Sequence, residues 1–561
     1  MDQNLYTQPQ ERLYTLFSAF ISKLNEVFKR YRNNRLKEIC FFTQEDYIVL
    51  FFIMLIPVFL SASHFFSPGI PYGADGISNL LPVLHARHSI ANGALPIYTD
   101  LWYGGMYQFV NPLWKGFYPG WWPVYIPALP LKSSLKAVLA GHMAVAPAVT
   151  YYYARKDVDM TLAAGFAIAS IMPIAAFQGH YQKILAYPWV LLLLFQLTPN
   201  RLNQQTMFRG AIAGVSLSVL LLTGGGYWFF YFGLLTGIFA LTLWNNRYIM
   251  GLLIGGLLSL PKLALSILPV IIRDISRPPV GSGVSLGKIL PNLIGFTIEL
   301  SSTPAIQWTM RRESYAVIGA PLVGLAVFGF LYNIYYKENN RKWWIAWSTA
   351  TIGSILLAIS FQPLYRLPIL STFRVTPRAL ILLSTLCILG AWTFIHKESI
   401  SDIKVELVSV LIMISLITSG IAWVQVDSGQ AIDVYNGEQV ADKINESGCD
   451  SAWIEVSAPT RDGGIAGLAH ALETQHVLTK HGISLQGAYY GEIGQQFSVR
   501  EKNGKVTFDA LAIGRTISSN ESVPLSGGTS TVRGEIKGSE LSLIYTQEPN
   551  IHVYEVDNRC A

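Results

Sequence analysis

The sequence predicts an all-α polytopic membrane bundle followed by a small α/β domain, and three observations predict it. Apolar runs of about 20 residues recur from Tyr47 to Val426, the length at which a helix crosses a bilayer with its backbone satisfied internally. Charged residues make up only 14% of the 561-residue chain and hydrophobic ones 51%, against roughly 25% charged in soluble domains. After Asp427 the hydrophobicity drops, and short alternating runs separated by Gly, Ser and Asn replace the long apolar ones.

Residues 1–44 are polar and basic. Within them Leu13, Leu16, Phe17, Phe20, Ile21, Leu24, Val27 and Phe28 form one stripe at helical period, which predicts a helix lying on the cytoplasmic membrane surface. No apolar core precedes a small-residue cleavage site, so the N-terminus is expected to stay inside.

The membrane domain is assigned to 45–426, with candidate spans at 45–64, 135–154, 158–177, 186–198, 210–223, 227–244, 248–272, 315–336, 343–361, 378–395 and 404–425, about eleven in all. Arg155, Lys156, Arg201, Arg209, Arg247, Lys337, Arg341, Lys342, Lys397 and Lys404 fall on alternate short connections. That bias places them in the cytoplasm and puts the large first loop, 65–134, and the region 427–561 outside. The triplet Gly224 to Gly226 falls at an outer turn between helices, so it is no nucleotide cradle.

Outside, SAWIEVSAP, KVTFDALAI and LSLIYTQ read as strands and AGLAHALETQHVLTKHG as a helix. Of the four cysteines, Cys449 and Cys560 bracket this outer domain and either form a disulfide or remain free thiols. The net charge of +6 is modest, and no nucleic-acid signature, Walker loop or dinucleotide fingerprint is present.

The first outer loop is too rich in Asp, His, Gly and aromatic residues for a plain connector. Asp75 follows the first span, where partial burial would make its carboxylate a base for a substrate hydroxyl; the alternative is that it caps a helix beginning at Ile77 or Ser78. Asp100, in YTDLWYGGM, either orients an acceptor or starts a turn, and the aromatic residues beside it, Tyr103 among them, could stack on a sugar. Neither Asp has an acid two residues away, so a divalent cation is an option that the spacing does not require. His85 and His88 read as polar-face residues of a surface helix over 77–92, and His180 as a candidate substrate contact or a structural residue.

Cations stand outside against the orientation bias, including Lys183, Arg311, Arg374 and Arg378, which suggests an anionic ligand such as phosphate. Arg374 and Arg378 are four apart, but Pro377 bars a regular helix through them, so a bent backbone would aim them at one anion. The pair Arg311 and Glu313 before the eighth span is either part of this site or an ordinary juxtamembrane cluster.

Asp75, NGALPIYTDLWYGGMYQF, FYPGWWPVY, GHYQKILAYPW, ESYAVIG and LPILSTFRVTPR together resemble the YfhO-like branch of the GT-C membrane glycosyltransferases. The likeness runs from about Phe51 to Ile395 and departs at Tyr98 to Leu101, where the family often has Trp-Asn-Pro. What the resemblance implies is transfer of a sugar from a polyprenyl-phosphate donor to a glycan, lipid or protein acceptor at the outer face of a bacterial inner membrane. Asp75 would be the general base and the anomeric configuration would invert. A flippase for lipid-linked sugars and a non-catalytic glycan assembly factor are the competing readings. The first would need charged residues near mid-membrane, where the spans are poor in acids.

Overall fold

The computed structural model describes residues 42–67, 71, 80–99, 106–108, 114–171, 173, 180–199, 207–244, 246–267, 284–294, 316–336, 340–366, 370, 376–397, 408–417 and, beyond these, only eight strands between 451 and 556. The chain divides into two compact units, 1–52 and 53–561. Helix α1, Gln44–Leu60, begins in the first and ends in the second. Its start is a capping box: the Thr43 amide donates to Asp46 Oδ2 at 2.9 Å, and the Asp46 amide donates back to Thr43 Oγ1 at 3.2 Å.

In the second unit a short α2, Ala62–Phe65, is followed by the loop elements α3, Leu81–Ala91, the paired strands β1, Tyr98–Thr99, and β2, Met106–Tyr107, and α4, Trp122–Tyr125. The helical bundle then runs through α5, Leu131–Arg155, α6, Met160–Ile171, α7, Tyr181–Gln196, α8, Met207–Leu222, α9, Gly226–Leu243, and α10, Asn246–Lys262, which continues as one π-helical turn, Leu263–Ile267. It resumes with α11, Leu286–Ile294, α12, Ala320–Tyr336, α13, Arg341–Ala358, α14, Gln362–Tyr365, α15, Leu380–Lys397, and α16, Val408–Ile417. A helix coincides with each of the eleven apolar runs read from the sequence. By length and hydropathy alone, two of the described stretches could cross a membrane, Gly226–Leu243 and Tyr248–Leu265. The other helices cover their runs only in part, as Met160–Ile171 does 158–177, or carry more polar residues.

The outward surface of the bundle is apolar: Leu241, Leu253, Leu257, Phe328, Ile352 and Met413 are all exposed. Several buried hydroxyls and amides bond back to their own helix. Thr236 donates to Phe232 O at 2.7 Å, Ser354 to Ala350 O at 2.8 Å and Asn333 to Gly329 O at 2.9 Å. The interior itself is apolar and aromatic, with Tyr187, Trp228 and Trp344 fully buried, so apolar side chains cover both the core and the outer face, as contact with lipid allows.

Two rims can be told apart by their hydrogen bonds. At one, Leu197 O accepts from Trp343 Nε1 at 2.7 Å, gathering the end of α7 and the start of α13 beside Arg341 and Lys342. The opposite, loop-side rim gathers α3, α4, the start of α7, the end of α10 and the start of α9. The turn into α9 needs glycine at Gly224, whose φ of 84° is left-handed.

Helices α8 and α10 cross with almost no side chain between them. A Cβ on Gly214 would lie 2.7 Å from Ile254 Cβ and 2.9 Å from Gly251 O, whereas Gly256 has open space around it. Gly214→Leu is therefore expected to destabilise the protein by about 3 kcal/mol through overpacking. Gly256→Ala should instead be neutral or stabilising by up to about 1 kcal/mol from helix propensity. Melting of both variants in detergent checks this; a Gly214→Leu protein as stable as the parent would sink it.

In the last region four strands form a sheet of order β4-β3-β10-β9, where β3 is Ser451–Val456, β4 Ser484–Gly487, β9 Leu541–Gln547 and β10 Ile551–Val556. β3 and β4 are parallel, and β10 runs antiparallel to both β3 and β9. Two hairpins join β5, Arg500–Lys502, to β6, Lys505–Thr507, and β7, Val523–Gly527, to β8, Ser530–Gly534. A parallel pair is joined by a crossover. The helix read at 466–482 would fill that connection, and it lies outside the described residues, as do Cys449 and Cys560.

Candidate functional site at the loop-side rim

The loop between the first two long helices is clamped to the bundle by side chains reaching backbone carbonyls. Arg87 on α3 donates to Val124 O at 3.0 Å, Pro127 O at 2.9 Å and Leu129 O at 2.6 Å, a fork that ties α3 to α4 and the segment that follows it. Tyr181, at the start of α7, donates to Pro71 O at 2.8 Å, and Ser89 Oγ to Tyr98 O at 3.1 Å. The surface-helix expectation for 77–92 needs correction here. His85 is buried with Val83, Leu84 and Ala86, and burial together with the neighbouring His88 pushes it down to about 3, so it is a neutral core residue. His88 is half-buried and bonds Asn92 Nδ2 at 3.0 Å.

Between Trp114 and Trp121 the chain folds tightly around aromatic rings. Successive turns link Tyr118 N to Lys115 O at 2.9 Å and Trp121 N to Tyr118 O at 3.0 Å. A Cβ on Gly116 would strike the ring of Trp114 and one on Gly120 the ring of Tyr118, so a larger residue at either position has to displace that ring. Lys115 is 2% exposed, with its ammonium 5.1 Å from the Trp121 ring centroid. Burial alone pushes it down to about 7. From the end of α10, buried Lys262 donates to Trp114 O at 2.9 Å and stands 5.6 Å from the centroid of that ring. The two ammonium groups are close enough to repel each other. Lys183, on the first turn of α7, is buried at this rim as well.

A second cation stands against an aromatic ring at the bend before α15. The bend imposed by Pro377 is a 3-10 turn, Thr376–Ala379, and from it Arg378 places its guanidinium carbon 4.9 Å from the Tyr227 ring centroid, at the start of α9. Tyr231 is within its electrostatic reach, and Tyr365 donates to Leu357 O at 2.9 Å. His180 is half-buried and occupies the N-cap position of α7 with no side-chain cap bond. Asp75, Asp100, Tyr103, Arg311, Glu313 and Arg374 lie outside the described residues. Among the described residues no three His, Cys, Asp or Glu come together as a metal site.

Lys115 and Lys262 escaped the sequence reading. Lys262 had a usable signal, a lone cation inside the apolar run 248–272, which in a membrane segment marks a functional position by default. Lys115 had none beyond its tryptophan neighbours.

No family model matches the chain, and no curated protein does. Solved structures similar to it include the apo oligosaccharyltransferase of Archaeoglobus fulgidus, at 13% identity and a TM-score of 0.44, covering 80% of this chain and 65% of that one. The archaeal oligosaccharyltransferase AglB from Archaeoglobus fulgidus, in complex with an inhibitory peptide and a dolichol-phosphate, matches at 11% identity and a TM-score of 0.44, over 81% of this chain and 65% of that one. ArnT from Cupriavidus metallidurans bound to undecaprenyl phosphate matches at 12% identity and a TM-score of 0.40, over 79% and 77%. The chain thus spans just under two thirds of the length of the archaeal enzyme.

Proposed function

We propose that this chain is a multi-pass membrane glycosyltransferase of GT-C type, in the YfhO-like branch that its loop motifs resemble, using a sugar carried on a polyprenyl phosphate. The observation that carries the reading is the pair of buried lysines Lys115 and Lys262, each against a tryptophan ring where the loop meets the end of α10, with Arg378 held on Tyr227 at the start of α9, in a bundle with an apolar outside. Buried ammonium groups side by side are costly, and an anion that enters between them repays the cost. The apolar exterior supports contact with lipid; in this reading about eleven spans cross a bacterial inner membrane, with the loop rim and an α/β domain at 427–561 outside.

In this reading Asp75 takes the proton from the acceptor hydroxyl as that oxygen attacks the anomeric carbon. The bond from that carbon to the lipid phosphate breaks, and the phosphate leaves with the electron pair. Attack opposite the leaving group inverts the configuration. Lys115, Lys262, Arg378, Arg374 and Arg311 stabilise the charge growing on the phosphate, where fixed cations in a dry site act most strongly. Asp100, Tyr103, His180 and Glu313 orient the acceptor and the sugar.

Mass spectrometry of surface glycans, glycolipids and surface proteins from cells with and without the gene tests the proposal. A glycosidic linkage that disappears with the gene and returns with it is the expected result. Movement of a lipid-linked sugar across vesicles holding the purified protein, with no new linkage made, would establish a flippase instead.

A further inference from the structure

Three side chains from separate elements meet where the loop joins the bundle. Tyr118 Oη lies 2.5 Å from His142 Nε2, His142 Nδ1 lies 2.7 Å from Val138 O, and Trp189 Nε1 donates to Tyr118 Oη at 3.1 Å. The direction of every bond follows from chemistry. A carbonyl oxygen only accepts, so Nδ1 carries the hydrogen, and neutral His142 offers Nε2 as an acceptor. Tyr118 therefore donates its hydroxyl hydrogen to His142 and accepts from the Trp189 indole. The chain runs Trp189 to Tyr118 to His142 to Val138, with the imidazole locked by its own helix α5.

Tyr118 is also the hinge between the two turns that hold the buried cation. Its amide donates to Lys115 O and its carbonyl accepts from Trp121 N, so Lys115 and Trp121, the ammonium and the ring it faces, are fixed three residues to either side of it. A Cβ on Gly120 would be 2.8 Å from the Tyr118 hydroxyl, which leaves this segment little room to reach the same place by another route. His142 itself has no contact with Lys115 among those described.

We propose that His142 is a positioning residue for Lys115, acting through the hydroxyl of Tyr118. The importance of Lys115 rests on the transferase reading above; the coupling between His142 and Lys115 does not.

The test exploits two amides that each imitate one nitrogen of the imidazole. In His142→Gln the side-chain oxygen reaches the place of Nε2 and can still accept from Tyr118. In His142→Asn the amide reaches only the place of Nδ1, so the Tyr118 hydroxyl loses its acceptor. The first readout is the reaction of Lys115 with an amine-directed succinimidyl ester in the purified full-length protein, followed by mass spectrometry, with exposed Lys132 as the internal reference and buried Lys183 as the control for general loosening.

Lys115 should label about tenfold faster in His142→Asn and in Tyr118→Phe, the equivalent of one lost hydrogen bond, and within about twofold of the parent in His142→Gln. Because the two residues act as one unit, the double variant Tyr118→Phe with His142→Asn should label no faster than either alone. Unchanged labelling in His142→Asn overturns the proposal, as does equal labelling in the Asn and Gln variants or a parallel rise at Lys183. If the protein transfers sugar, the KM for the lipid-linked donor should also rise about tenfold in His142→Asn with kcat within about twofold. Absence of transfer by the parent protein would overturn the transferase reading and leave the labelling result standing.

Discussion

Lys115→Met should make the protein more stable and far less active. At pH 6 the variant is expected to gain about 2 kcal/mol or more in detergent, because a methionine fills the same apolar slot without a desolvated charge. The sign and pH window follow from the lysine itself. Burial holds Lys115 down at about 7, whereas in an unfolded chain it would keep its proton to about 10.4. Between these values the unfolded state binds more protons, so the stability of the parent rises with pH across that window. The penalty is present in full below about 7 and fades towards 10.4, so the advantage of the variant should be largest at pH 6 and smaller at pH 9. Sugar transfer should fall by about 100-fold or more, the typical cost of removing one fixed group that stabilises developing charge. Transfer by the parent should itself decline as pH rises above about 7 and Lys115 loses its charge. Melting curves at the two pH values and single-turnover transfer measure these effects. A variant that melts lower than the parent at pH 6, or transfers normally, would remove Lys115 from the site.

The helices were legible because apolar runs are local signals, and a helix stands at every run. Run length and helix length differ where the chain needs another geometry: α10 passes into a π turn at Leu263–Ile267 within the run 248–272. The turn Thr376–Ala379 was legible because Pro377 bars a regular helix there; the phosphate-binding role of Arg378 belongs to the proposal. The burial of His85 was not. Its spacing from His88 suits a surface helix, whereas α3 is held under cover by the burial of Val83, Leu84 and Ala86 and by the Arg87 fork to carbonyls 37 to 42 residues away. Lys115 and Lys262 are 147 positions apart by number, and the pairing of Lys262 with the carbonyl of Trp114 is a property of the crossing of α10 over the loop. No pattern within a single segment encodes that contact.

Asp75→Asn should abolish transfer while leaving the fold intact, and the choice of asparagine is what gives the experiment its force. If Asp75 serves only to cap a helix, asparagine replaces it at almost no cost, since the two are equally good at that position. If Asp75 takes the proton of the acceptor hydroxyl, asparagine keeps the shape and loses the function, because an amide has no basicity to offer at neutral pH. The loss should then appear in kcat, by about 100- to 10,000-fold, with the melting temperature and donor binding near those of the parent. Asp75→Ala should lose transfer equally, so the comparison that decides is asparagine against the parent. Asparagine retaining most of the parental rate would leave the carboxylate without a chemical role, and the nucleophile would have to be activated elsewhere. Retained binding with lost turnover would show that the cations at the rim hold the donor without the base, which separates the seat of the phosphate from the step that breaks its bond to the sugar.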